Sequence, residues 1–118
     1  MRATKLPPLD EATFDDGVAR GAGLVAVEFG AEWCGPCRVM EPVLEAAVLE
    51  LAGVVRFHEV DADANPGLVA RYGVRGLPTV LVFRDGGLID RIIGAQPRER
   101  FIARLRQLIG ETTTETTT

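Results

Sequence analysis

Leu24-Val25-Ala26-Val27-Glu28-Phe29-Gly30-Ala31-Glu32-Trp33-Cys34-Gly35-Pro36-Cys37 carries the plainest structural signal in the chain. Its first six residues are nearly all apolar and rich in β-branched side chains, the pattern of a strand buried on both faces. Glu28 is the anomaly within that strand. From Pro36 onward Val39, Met40, Val43, Leu44, Ala47, Val48 and Leu51 recur at helical spacing as far as Gly53, with Pro42 placed to kink the helix. Strand, loop, cysteine pair and helix therefore follow one another directly.

Upstream of this strand, Thr13-Phe14-Asp15-Asp16 has the form of a capping box with Asp16 in the acidic position, and predicts a short helix ending before Gly21-Ala22-Gly23. A second strand is expected over Val54–Val60. It leads through Asp61-Ala62-Asp63-Ala64 to a short helix with Asn65 as N-cap, Pro66 in the first turn and Gly73 as stop. This completes a βαβ unit, whose strands should be parallel. Thr79–Phe83 and Leu88–Ile93 flank Arg84-Asp85-Gly86-Gly87, a hairpin signal. A last helix starts near Pro97, carries Phe101, Ile102, Leu105, Leu108 and Ile109 on one stripe, and should stop at Gly110. Its arginines read as a solvated face. The class is α/β, with a mixed central sheet flanked by helices on both faces. Pro7-Pro8 admits an N-terminal strand only at a sheet edge. Residues 1–110 read as one domain. The Thr/Glu-rich run 111–118 offers no apolar face and is expected to be disordered.

Composition narrows the function. The 118 residues include 13 basic and 17 acidic side chains, a net charge of −4, with a pI near 5.0. That is the wrong electrostatic footprint for a phosphate backbone, so no nucleic-acid partner is expected. No run of about 18 apolar residues is present to span a membrane, and residues 1–8 lack the apolar core of a secretory signal. A cytoplasmic location is the expectation. In such a reducing compartment a Cys-x-x-Cys pair points to chemistry, because a disulfide closing so short a loop stabilises little. Zinc would need about four ligands, and the chain has two Cys and one His. Asp61-Ala62-Asp63 begins like a calcium loop, but Pro66 stands where glycine is required and Tyr72 where the bidentate Glu should be. No metal is expected. His58 stands alone on its strand and reads as structural or solvent-facing.

The chemistry of the pair follows from its position. Cys34, at the start of the helix, faces unpaired N–H groups and the positive end of the helix dipole, which should lower its pKa from about 8.5 toward roughly 7. Cys37 lies one turn further in, within reach of the Cys34 sulfur. Gly35 lets a partner backbone approach, and Pro36 fixes φ where its missing N–H costs nothing. Cys34 thiolate attacks a substrate disulfide, and Cys37 resolves the mixed disulfide. Glu28, six residues before Cys34, is a candidate to take the proton from Cys37.

Trp33-Cys34-Gly35-Pro36-Cys37, Pro42, the Asp63–Pro66 turn, Gly73-Val74-Arg75-Gly76-Leu77-Pro78-Thr79, Gly86 and Gly94-Ala95 together resemble the thioredoxin family, over about Thr13 to Ile109. The resemblance implies a cis-proline at Pro78, with the Leu77 backbone available to pair with an extended substrate segment. It also implies an apolar rim of Trp33, Gly35, Pro36, Leu77, Gly94 and Ala95. The expected function is reduction of protein disulfides by a monomer with no bound cofactor, through a Cys34–Cys37 redox disulfide. Electrons would come from a separate flavoprotein reductase drawing on NADPH. A disulfide oxidase or isomerase on the same fold, or a non-catalytic binding module, are the alternatives. Three departures from the family pattern bear on the site: Glu28 stands where Asp is usual, Glu59 where a buried Lys is usual, and Gly30 where a second Trp is common.

Overall fold

A computed structural model describes residues 6–20 and 22–114, the side chains of 112–114 excepted. In chain order the elements are α1 (Phe14–Ala19), β1 (Leu24–Gly30), α2 (Gly35–Glu50), β2 (Val55–Asp61), α3 (Pro66–Tyr72), β3 (Thr79–Arg84), β4 (Gly87–Ile93) and α4 (Arg98–Thr114). The sheet order is β2-β1-β3-β4, with β1 and β2 parallel and the other pairings antiparallel. Every residue of β1 is buried, as its unbroken apolar run requires of a central strand. The mixed sheet is the one expected from sequence.

Alternation along the strands divides the core into two layers. Leu24, Ala26, Phe57 and Val80 face Met40 and Leu44 of α2 and Phe101 and Leu105 of α4. Val25, Val27, Phe29 and Phe83 face Phe14 and Val18 of α1 and Leu68 of α3. Phe14 anchors the second layer through ring contacts to Tyr72 at 5.3 Å and Phe83 at 5.6 Å. The turn between β3 and β4 holds Asp85 at φ 53° and Gly86 at φ 81°, the paired left-handed residues of a tight hairpin. Outside β2, Pro8 bridges Glu59 in parallel, so the N-terminal segment sits at the sheet edge.

Three local expectations are corrected. The capping box does not form. Thr13 occupies the N-cap position of α1, but its hydroxyl accepts from Asp10 N and donates to Asp10 Oδ1, both at 3.0 Å. Asn65 likewise precedes α3 without capping it. Its side chain instead donates to Asp61 O at 2.9 Å and accepts from Glu11 N at 3.1 Å, pinning two loops together. Finally, α4 runs through Gly110 to Thr114. Gly110 is absent from the positive-φ glycines that include Gly73, the true left-handed stop of α3, so it continues the helix. Of the run expected to be disordered, 111–114 is thus helical, and 115–118 lies outside the described residues. α2 also passes through Pro42 as one helix and ends at Glu50, three residues before Gly53.

Candidate active site

The site lies where β1 ends and α2 begins. Cys34 is the N-cap of α2, and its sulfur accepts a hydrogen bond from the Cys37 backbone N–H at 3.2 Å. Pro36 sits in the first turn, which contains no acidic side chain to cancel the positive end of the helix. Cys34 and Cys37 are joined as a disulfide with Cα atoms 5.3 Å apart. Cys34 is 3% exposed and Cys37 0%, packed together with Ala31 and covered by Leu77. Both cysteines are thus buried, and Cys37 is fully sealed.

Glu28 is 1% exposed. Strand alternation gives it the same side of the sheet as Leu24 and Ala26, the side that α2 covers. Its register partner across the parallel β1–β2 pair is Glu59, which is half-buried. The two acids that depart from the family pattern are thus neighbours on one face. Gly30 ends β1 as a buried residue, leaving no bulky side chain there beneath the site.

The Leu77–Pro78 peptide bond is cis, as the family resemblance implies, and Pro78 is buried. The Pro78 carbonyl accepts from Gly94 N at 2.8 Å, which ties the loop after β4 to the loop before β3. Gly94 has φ 87°, a conformation that favours glycine. These bonds bring Leu77, Pro78, Gly94 and Ala95 to one end of the sheet. Gly35, Pro36 and Ala95 are exposed, and Trp33 is 66% exposed despite its size.

Two features of the rim escape the sequence reading. Trp33 Nε1 donates to Asp63 Oδ2 at 2.7 Å, fixing the indole over the loop after β2. Asp63 belongs to the turn quoted for the family resemblance, which is the signal that could have found it. Trp33 and Leu77 also line a groove of about 310 Å3 with Val74, Arg75 and Pro66. Among the described residues, no group of three or more His, Cys, Asp or Glu side chains could hold a metal, and no helix is long and apolar enough to cross a membrane.

A helix-capping sulfur joined to a sealed partner one turn away, with Leu77 packed on the pair and its neighbours Trp33, Gly35 and Pro36 exposed, defines a dithiol–disulfide exchange protein on an α/β scaffold. The family model described as Thioredoxin matches residues 5–107. The chain is 39% identical over 97 residues to the chloroplastic thioredoxin M4 of Arabidopsis thaliana, a match covering 82% of this chain and half the length of that protein. It is 42% identical over 89 residues to a thioredoxin of Staphylococcus aureus, and 39% identical over 89 residues to one of Staphylococcus saprophyticus. Each of these matches covers 75% of this chain and 84% of the relative. The chain belongs to the thioredoxin family, and its cysteine pair is that of a thiol–disulfide oxidoreductase.

Proposed function

We propose that the chain reduces disulfides in protein substrates, with Cys34 as nucleophile and Cys37 as resolving thiol. The observation that carries this reading is the asymmetry of the pair: Cys34 caps the helix, while Cys37 is sealed beneath it. The dipole and the Cys37 N–H favour a thiolate on Cys34. That thiolate attacks one sulfur of a substrate disulfide, breaking the S–S bond and releasing the other sulfur as a thiolate. Cys37 then attacks the Cys34 sulfur and releases the second substrate sulfur. Two electrons pass from the dithiol to the substrate, and the Cys34–Cys37 disulfide remains.

Glu28 acts in this reading as the base that takes the Cys37 proton, supported by its burial on the α2 side of the sheet. Trp33, Gly35, Pro36, Leu77, Gly94 and Ala95 form the surface on which an extended substrate segment lies, and the Leu77 backbone pairs with it by strand addition. Pro78 holds Leu77 in place through its link to Gly94. The working unit is one monomeric cytoplasmic domain over residues 1–110, with no bound cofactor. A separate flavoprotein reductase drawing on NADPH regenerates the dithiol.

The deciding measurement is the reduction potential of the Cys34/Cys37 couple, by equilibration in a thiol redox buffer with Trp33 fluorescence as reporter. A value of about −270 mV or lower is expected of a reductant. A value of about −180 to −120 mV would reverse the direction of electron flow and replace this reading with an oxidase or isomerase.

A further inference from the structure

Arg56 and His58 lie on the edge strand β2 with the parity of Val60, which places them on the α1 side of the sheet. Asp16 of α1 and Arg20, which caps the C-terminus of that helix, meet them there, and with Thr13 these side chains line a pocket of about 290 Å3. Arg56 is half-buried, and its Nε and Nη2 are fully covered with no hydrogen-bond partner among the described residues. Covered charged donors without an acceptor carry their whole desolvation penalty, so the charge of Arg56 is left uncompensated on its inner side, and Nη1, which is not among the covered atoms, is the nitrogen through which the guanidinium meets the pocket.

The pocket does not supply that acceptor from its own walls. Thr13 Oγ1 is engaged with Asp10, and no ion pair among the described residues joins Asp16 to Arg56 or Arg20. His58 Nδ1 donates to the Pro7 carbonyl at 3.2 Å, which leaves Nε2 as its second hydrogen-bonding atom. Two permanent cations and an imidazole thus face a single carboxylate around a space large enough for a tetrahedral anion.

We propose that the pocket between α1 and β2 is a binding site for a tetrahedral oxyanion of the phosphate class, held by Arg56, Arg20 and His58. The exposed guanidinium of Arg20 can offer a fork to two oxygens of such an anion, Arg56 adds one charge-assisted bond through Nη1, and His58 Nε2 gains a partner when the ring is protonated. The site is remote from the cysteines. Arg56 pairs in register with Val25, five residues before the end of β1, so about 16 Å of strand separates it from the redox end. Filling it leaves basal disulfide exchange unchanged.

His58 also reports on occupancy. Burial, and then the charge of Arg56, hold its pKa below the ordinary 6.5, while the Pro7 carbonyl pulls the other way. The charged groups facing the ring are Arg56 on its own strand, Asp16 from α1 and Arg20 just past the end of α1. A bound anion offsets the arginine and lifts the pKa.

The test uses the full chain, whose single histidine gives one set of imidazole NMR signals. Inorganic phosphate, titrated against chloride at matched ionic strength, should move those signals saturably and raise the His58 pKa. Arg56→Gln should weaken binding about tenfold or more, the loss of one charge-assisted hydrogen bond. Arg20→Gln, at an exposed position, should weaken it in the same direction and stands in if the first variant does not fold. Saturation by inorganic phosphate alone identifies the free anion as ligand, and equal or tighter saturation by O-phosphoserine identifies a phosphate ester. The proposal is overturned if phosphate moves His58 no further than chloride, or if the variants titrate like the parent.

Discussion

Replacing Glu28 by Gln tests the proton path while keeping the shape and hydrogen-bonding capacity of the side chain. Cys37 is 0% exposed and Glu28 1%, so bulk water is a poor proton acceptor for this thiol. A thiol with the free pKa of about 8.5 is only about 3% thiolate at pH 7, and a rise of about one unit on burial would cut that to about 0.3%. Without its base, the resolving step should slow in proportion, about 30- to 300-fold, which overlaps the range of general-base catalysis. The assay is single-turnover resolution of a preformed mixed disulfide on Cys34, followed by Trp33 fluorescence across pH. In the variant the rate should rise tenfold per pH unit until Cys37 itself ionises. A Glu28→Gln protein that resolves within about twofold of the parent at neutral pH, with an unchanged pH profile, would refute the assignment.

Further outcomes are expected elsewhere in the molecule. Asp63→Ala removes the 2.7 Å bond to the exposed indole of Trp33. At about 1 kcal/mol, it should raise KM for a protein disulfide roughly fivefold with little change in kcat. Phe101→Ala opens a cavity between α4 and the sheet at a side chain 0% exposed, and should cost about 3–5 kcal/mol in urea unfolding. The lowered His58 pKa means that the folded state binds its proton less readily than the unfolded chain. Its stability contribution is therefore full above the ordinary value of 6.5, and is lost as pH falls through the folded pKa. In phosphate-free buffer, His58→Gln should flatten that part of the stability profile.

The local features were legible because their causes are local. The apolar run of β1, the helical spacing of α2, Asp85-Gly86 in the hairpin and Gly73 at the end of α3 each respond to neighbours a few residues away. Capping failed as a reading for two different reasons. Thr13 is claimed by a competing local partner, Asp10, three residues before it, whereas Asn65 reaches Glu11, 54 residues distant, which no window of sequence contains. Gly110 stays helical for want of the left-handed conformation that would make it a stop.

The class of fold, the cysteine pair at a helix start and hence the exchange chemistry all rest on residue type and spacing. The other features arise only as the elements pack. Strand order and register, fixed only when the sheet assembles, set Glu28 beside Glu59 and carry Arg56 and His58 to the pocket under α1. Loop closure brings Gly94 to Pro78 and Asp63 to Trp33. Each of these pairs is separated by 16 residues or more, so its meeting depends on how whole elements pack rather than on any preference of the residues themselves.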